Sequence, residues 1–316
     1  MSDTTPRLNL IQRAMQQAKR PVAEAAPLAR TEPVAAPAAT ATAPLVAERR
    51  TEAPQQHAPA AQQHAPTAPR HAAASEVTLN YARLREAKIA LPGDRNSITF
   101  NEFRSIKRKL LPLAANRKND HRIQNVVMIS SALPGEGKTF TSLNLAITLA
   151  AEKNLNVILV DGDVIRSSVG RYFNGQTGRG LLDLFGNTSI KVDELLHKCQ
   201  DVPNLHVLFA GSQNDAAPEM FASARMAEIC DQLSRRFVNC IVIIDSPPVL
   251  ATSEPAALVT HMDHLIMVVA AGRASNHQLE TALSSLSSCR SIYLMFNKAP
   301  KWQRPSQGYY YYSPAP

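Results

Sequence analysis

The segment Ala132-Leu133-Pro134-Gly135-Glu136-Gly137-Lys138-Thr139 combines two glycines, a lysine and a hydroxyl at the spacing of a phosphate cradle. Glycines let successive backbone N–H groups turn toward phosphate oxygens, the lysine reaches the β- and γ-phosphates, and the hydroxyl after it faces Mg2+. A helix starting there adds the positive end of its dipole. Ala132 stands where the general pattern begins with Gly, and a small residue still fits. Pro134, Gly135, Glu136, Gly137, Lys138, Thr139 and Phe140 are therefore the candidate nucleotide-binding residues, and ATP with Mg2+ is the implied ligand. Two apolar runs, Val157 to Val160 and Ile241 to Ile244, lead into Asp161-Gly162-Asp163 and Asp245. An Asp closing a strand is often only a turn residue, but beside a phosphate cradle it holds Mg2+ or its waters. At the far end, Tyr309, Tyr310, Tyr311 and Tyr312 collect four of the chain's seven tyrosines among prolines. Folding gives no reason to gather aromatic residues at a terminus. They read as phosphoacceptors, with a sticky tail or a strand added to a partner as the alternatives.

These residues need a scaffold, and the pattern from Asn125 onward supplies one. Short β-branched runs alternate with helical stretches, which predicts parallel strands joined by crossover helices. Strands are expected over 126–130, 157–160, 205–209, 241–244, 265–269 and 292–296, nearly continuously apolar as in a sheet covered on both faces. Helices are expected over 139–152, 181–185, 192–199, 219–236, 254–260 and 276–287. The fold class is α/β, a doubly wound, mostly parallel sheet of the P-loop NTPase type. Ahead of it, helices are predicted over 77–91, closed by Pro92-Gly93, and over 98–111, stopped by Pro112.

The domain plan divides into an arm (1–75), a helical bracing or oligomerisation segment (76–124), the P-loop domain (125–300) and the tyrosine tail (301–316). The arm is rich in Ala, Pro, Gln and His, has no Gly and no aromatic anchor, and reads as disordered. Within it, Leu8, Ile11, Met15 and Ala18 recur at helical spacing, a short partner-binding helix over 8–20. The apolar stretch 35–47 is interrupted by Pro37 and Pro44 and falls short of the ~20 residues that cross a bilayer. Arg13, Lys19 and Arg20 interrupt the place of a signal-peptide core, so a cytoplasmic location is expected. The four cysteines are scattered singly, which favours neither a zinc site nor a disulfide framework. The net charge of +8 gathers partly in Arg104, Lys107, Arg108, Lys109, Arg117, Lys118 and Arg122, a solvated helix face or a docking surface.

The P-loop, Asp161-x-Asp163, Asp245-Ser-Pro-Pro-Val249 and the tyrosine cluster together resemble the bacterial tyrosine kinases of exopolysaccharide export, relatives of the partitioning ATPases within the P-loop superfamily. The Leu10-Ile-Gln-Arg-Ala14, Phe103-Arg-Ser-Ile-Lys-Arg108 and Thr252-Ser-Glu-Pro255 stretches resemble the tyrosine autokinases associated with exosortase loci. The resemblance implies that Lys138 and Thr139 bind phosphates and Mg2+, that Asp163 and Asp245 order the metal and its waters, and that Asp161 orients or deprotonates the incoming tyrosine. It assigns Lys138, Asp161, Asp163 and Asp245 to catalysis, Thr139, Asp163 and Asp245 to the metal, and Asn297 to adenine. It further implies acceptors at Tyr309 to Tyr312 reached in trans within a ring-like homo-oligomer. A separate transmembrane chain-length-determinant or co-polymerase partner would then hold the protein at the inner face of the cytoplasmic membrane, and nucleic acid is not an expected partner. Three positions depart from the family. Asn101, Arg104 and Lys107 stand where its oligomer helix reads E-x-x-R-x-x-R, Ala270 stands where an Arg is usual, and Leu133 stands where partitioning ATPases carry a second lysine. The rival readings are a positioning ATPase and a nucleotide-gated scaffold of the polysaccharide machinery.

Overall fold

The computed structural model describes residues 75–115, 124–176, 178–186, 189–212 and 214–300. The arm with its 8–20 helix, the basic residues Arg117, Lys118 and Arg122, and the tail tyrosines Tyr309 to Tyr312 lie outside the described residues.

The sheet is built on six parallel strands, β2 (Val126–Ser131), β3 (Asn156–Asp161), β6 (Leu205–Leu208), β7 (Cys240–Asp245), β8 (His264–Ala270) and β9 (Ser291–Asn297). Three short strands extend it: β1 (Glu76–Leu79), β4 (Phe173–Asn174) and β5 (His197–Cys199). The order across the nine strands is β4-β1-β5-β6-β3-β7-β2-β8-β9, with β5 antiparallel to β6 and β4 antiparallel to β1. Strand residues alternate between two buried layers: Val126, Met128, Ile158, Val160, Val242 and Ile244 face one, while Val127, Ile129, Val157, Leu159, Ile241 and Ile243 face the other. Both faces are thus sealed from water, which is why these strands read as unbroken apolar runs.

One face is covered by α1 (Tyr81–Glu86), α2 (Ile98–Ala115) and α3 (Lys138–Ala150), through Leu84, Phe103, Leu110, Leu143 and Leu149. The other is covered by α4 (Asp183–Gly186), α5 (Val192–Leu195), α6 (Ala217–Ala222), α7 (Ala224–Arg235), α8 (Glu254–Leu258) and α9 (Asn276–Ser285), whose core residues include Phe221, Ile229, Leu233, Leu258 and Ala282. Helix α2 braces the helix that begins at the phosphate cradle. Phe103 meets Phe140 edge to face at 5.9 Å, and Lys107 Nζ donates to Glu152 Oε1 at 2.6 Å. Lys107 is therefore buried in an ion pair whose partner, Glu152, stays half-exposed.

Four local expectations are corrected. Residues 77–91 are not one helix: Val77 and Leu79 alternate inward as a strand, and Asn80 starts α1 by accepting the Arg83 N–H. The 192–199 helix stops at Leu195, and His197 to Cys199 instead form a strand antiparallel to β6. The 219–236 helix is broken at Ser223, whose backbone is extended, φ −77° and ψ 158°. Pro112 does not stop α2, which runs to Ala115 and so carries the proline in its last turn. The four cysteines are buried and none is in a disulfide. Among the described residues no helix is long and apolar enough to cross a membrane.

Candidate functional site

The order of the central strands places three strand ends side by side. β2 lies between β7 and β8, and β3 lies on the far side of β7. The loop leaving β2 therefore rises between Asp245, at the end of β7, and Ala270, at the end of β8. Asp161 and Asp245 are register partners on β3 and β7. This is the carboxyl edge of a parallel sheet, where open α/β proteins bind ligands.

Gly135 and Gly137 have φ of +75° and +107°, a left-handed backbone that side chains rarely adopt. A Cβ would also crowd its neighbours: one on Gly137 would collide with Asn297 Nδ2, and one on Gly135 would lie 3.1 Å from Arg273 Nη1, so those side-chain ends would have to shift. Gly137 opens α3, so Lys138 and Thr139 occupy its first turn, at the positive end of the helix dipole. Thr139 Oγ1 donates to Asp245 Oδ2 at 2.7 Å and lies 2.8 Å from Ser168 Oγ, while Ser142 Oγ donates to Asp245 Oδ1 at 2.9 Å. Asp163 is buried, and its Oδ1 accepts the Arg166 N–H at 3.1 Å.

Asp161 has a divided environment. Its Oδ2 accepts from Ser167 Oγ at 2.7 Å and from the Val169 N–H at 3.2 Å, whereas its buried Oδ1 has no hydrogen-bond partner among the described residues. Burial, and then the facing charge of Asp245, push its carboxyl up to about 7 against the pull of the Ser167 hydrogen bond. Burial lifts Asp245 to about 6, opposed by the Thr139 hydrogen bond and the Lys138 charge. The donor set of Thr139, Asp163 and Asp245 is all oxygen, and an orphaned carboxylate oxygen stands beside it. That chemistry fits Mg2+, a hard cation which takes one or two carboxylates and fills its remaining positions with water and phosphate.

Two expected ligand residues have visible structural work. Glu136 is fully buried and its carboxylate accepts two backbone N–H groups, Leu133 at 2.7 Å and Ala270 at 3.1 Å. Its side chain pins the loop to β8, leaving its backbone N–H for a ligand. Asn297, the adenine candidate, donates to the Glu136 carbonyl at 2.8 Å and accepts the Lys298 N–H at 2.8 Å. Phe140 packs edge to face against Phe103 of α2. Sequence reasoning missed Ser142, Ser167, Ser168, Arg273 and Lys298. The last two approach Gly135 from outside the loop, Arg273 with its guanidinium and Lys298 with an Nζ that donates to the Gly135 carbonyl at 2.7 Å. Their signal was faint: each follows a predicted strand by a few residues.

The family model described as AAA domain matches residues 124–295. A tyrosine-protein kinase (ptk) of Acinetobacter johnsonii is 30% identical over 161 residues, covering 51% of this chain and 21% of that protein. The tyrosine-protein kinase YwqD of Bacillus subtilis is 26% identical over 231 residues, 72% of this chain and 93% of its own length. Among solved structures, the kinase domain of Escherichia coli tyrosine kinase ETK superposes with a TM-score of 0.58 at 19% identity, covering 68% of this chain and 81% of that one. This last likeness is one of fold. The chain spans about a fifth of the length of the first curated relatives it matches.

Proposed function

Because the chain belongs to the AAA domain family, and because the kinases it resembles put such a site to phosphoryl transfer, we propose that it is an ATP-dependent protein-tyrosine autokinase acting on its own C-terminal tyrosines. The observation that carries this reading is the buried carboxylate of Asp161. It has one oxygen unengaged and a proton affinity lifted to about 7, beside a phosphate cradle. A base poised near the working pH is what abstraction of a phenolic proton calls for.

In this mechanism the loop N–H groups and Lys138 hold the triphosphate. Thr139, oriented by its hydrogen bond to Asp245, together with Asp245 and Asp163 would hold Mg2+ and its waters. Mg2+, when bound, neutralises charge on the transferring phosphoryl group. Asp161 orients the acceptor hydroxyl and takes its proton at Oδ1, while Ser167 and the Val169 N–H keep the carboxylate from rotating away. Acceptors are Tyr309, Tyr310, Tyr311 and Tyr312, delivered by a neighbouring subunit of a ring-like homo-oligomer. Each phosphotyrosine adds roughly −1.5 to −2 charges, a repulsion that loosens the ring. Lys107 is committed to Glu152, so Arg104 is the one cation left among the three motif positions Asn101, Arg104 and Lys107. A separate transmembrane chain-length-determinant protein would bring the kinase to the inner membrane face, where phosphorylation would regulate exopolysaccharide polymerisation and export.

The test is phosphotyrosine detection with mass spectrometry of the tail after incubation with Mg-ATP, comparing wild type, Lys138→Met and Tyr309–312→Phe. Tail phosphate lost in both variants is the expected result. A wild-type tail without phosphate, even with the cytoplasmic part of the membrane partner added, would overturn the reading.

A further inference from the structure

The phosphate cradle is gripped from outside by the point where the chain leaves the sheet. Lys298, the first residue after β9, has a left-handed backbone, φ +55°, one of two such non-glycine residues described. A lysine held there is over-determined by its contacts. Three hydrogen bonds do this. The Lys298 N–H donates to Asn297 Oδ1 at 2.8 Å, Asn297 Nδ2 donates to the Glu136 carbonyl at 2.8 Å, and Lys298 Nζ donates to the Gly135 carbonyl at 2.7 Å.

The two carbonyls matter because of what lies on the other side of their peptide planes. In a planar trans peptide the C=O and the following N–H point in opposite directions, and no cis bond occurs among the described residues. Holding the Gly135 carbonyl toward Lys298 therefore aims the Glu136 N–H the opposite way. Holding the Glu136 carbonyl toward Asn297 does the same for the Gly137 N–H. These are two of the donors a phosphate would meet. The Glu136 carboxylate supports the same arrangement by tying Leu133 and Ala270 together.

We propose that Lys298 is a positioning residue of the nucleotide site, acting through the Gly135 carbonyl to preset the Glu136 N–H. Nucleotide affinity then depends on the backbone state of the residue from which the chain departs toward Tyr309–Tyr312. The inference rests on the nucleotide-binding reading and goes beyond it, because Lys298 touches the loop and is assigned no contact with the ligand. Without the latch the loop spends part of its time with the two peptides turned, and apparent affinity falls by the competent fraction.

The experiment is a titration of the full chain with a fluorescent ATP analogue and Mg2+, for wild type, Lys298→Met, Lys298→Arg, Lys298→Gly and Lys138→Met, each with a ligand-free melting curve. Lys298→Met should weaken binding about threefold to tenfold, the range expected for loss of one solvent-exposed hydrogen bond. Lys298→Arg, which keeps a donor, should restore it. Lys298→Gly is the discriminating variant: it removes the left-handed penalty, so it melts no lower than wild type, yet it should bind as weakly as Lys298→Met. Wild-type affinity in both the Met and Gly variants would overturn the proposal. Wild type binding no better than Lys138→Met would instead overturn the nucleotide reading beneath it.

Discussion

Asp161 and Asp245 face each other in register on neighbouring strands, both fully buried. Replacing Asp161 by Asn tests what that proximity costs the ligand-free protein. The Asp161 carboxyl moves from 3.8 to about 7 on folding, so carrying its charge at pH 8 costs the folded state about 4 kcal/mol relative to the unfolded chain. The sign follows from the direction. A carboxyl whose folded pKa is raised contributes stability that is fully present below 3.8 and is lost as pH rises through about 7. Asn removes that loss. It also puts an amide N–H where Oδ1 has no partner, which returns about 1–3 kcal/mol. The net gain is about 2 kcal/mol, a rise in melting temperature of about 4–8 °C at pH 8 for a domain of this size. At pH 5 the cost has fallen to about 1.6 kcal/mol, which the unpaired amide offsets, so the gain should vanish. Calorimetry with chelator present, at pH 5 and pH 8, reads this directly, while tail phosphorylation is abolished in the same variant. A melting point at pH 8 equal to or below wild type, or an equal rise at pH 5, would refute the reasoning.

Two further outcomes are expected. Glu136→Gln leaves one oxygen for two N–H donors and turns an amide N–H toward the other. It should cost about 2–3 kcal/mol, a fall of about 5–10 °C in melting temperature with weaker nucleotide binding. Lys107→Met breaks the pair with Glu152, whose carboxyl is held low chiefly by the Lys107 hydrogen bond. Because Glu152 is half-exposed, the loss is about 1 kcal/mol or less. It should be largest at neutral pH and shrink as Glu152 protonates, which thermal unfolding across pH 3–7 checks.

Five of the parallel strands were legible because each is a short apolar run buried on both sides, and the half-exposed edge strand β9 was legible from its apolar run Ile292 to Phe296, patterns that need no knowledge of the neighbours. The cradle and the aspartates were legible because their chemistry sits within a few residues of a strand end. What stayed hidden depends on distant pairing. β1 and β5 are four and three residues long, and they form because they pair with each other and β5 with β6. Nothing in Glu76 to Leu79 announces a strand without that partner. Ser168 meets Thr139 across 29 positions, and Glu136 reaches the Ala270 N–H across 134. Glu136 looked like a loop residue open to ligand, and only the closing of β8 against β2 shows that its carboxylate is spent. The break at Ser223 escaped because apolar spacing continues through it from Phe221 to Met226.

The small strand β1 also decides where a recombinant fragment of this protein can begin. Its backbone pairs with β5 and β4, and the Leu79 N–H donates to Asp201 Oδ2 at 2.7 Å. Val77 and Leu79 cover the same layer as Cys199, Phe173 and Phe209. A fragment started at residue 124, where the family match begins, would strip that layer and leave β5 an open edge prone to self-association. A fragment that keeps this layer covered should therefore start ahead of Glu76.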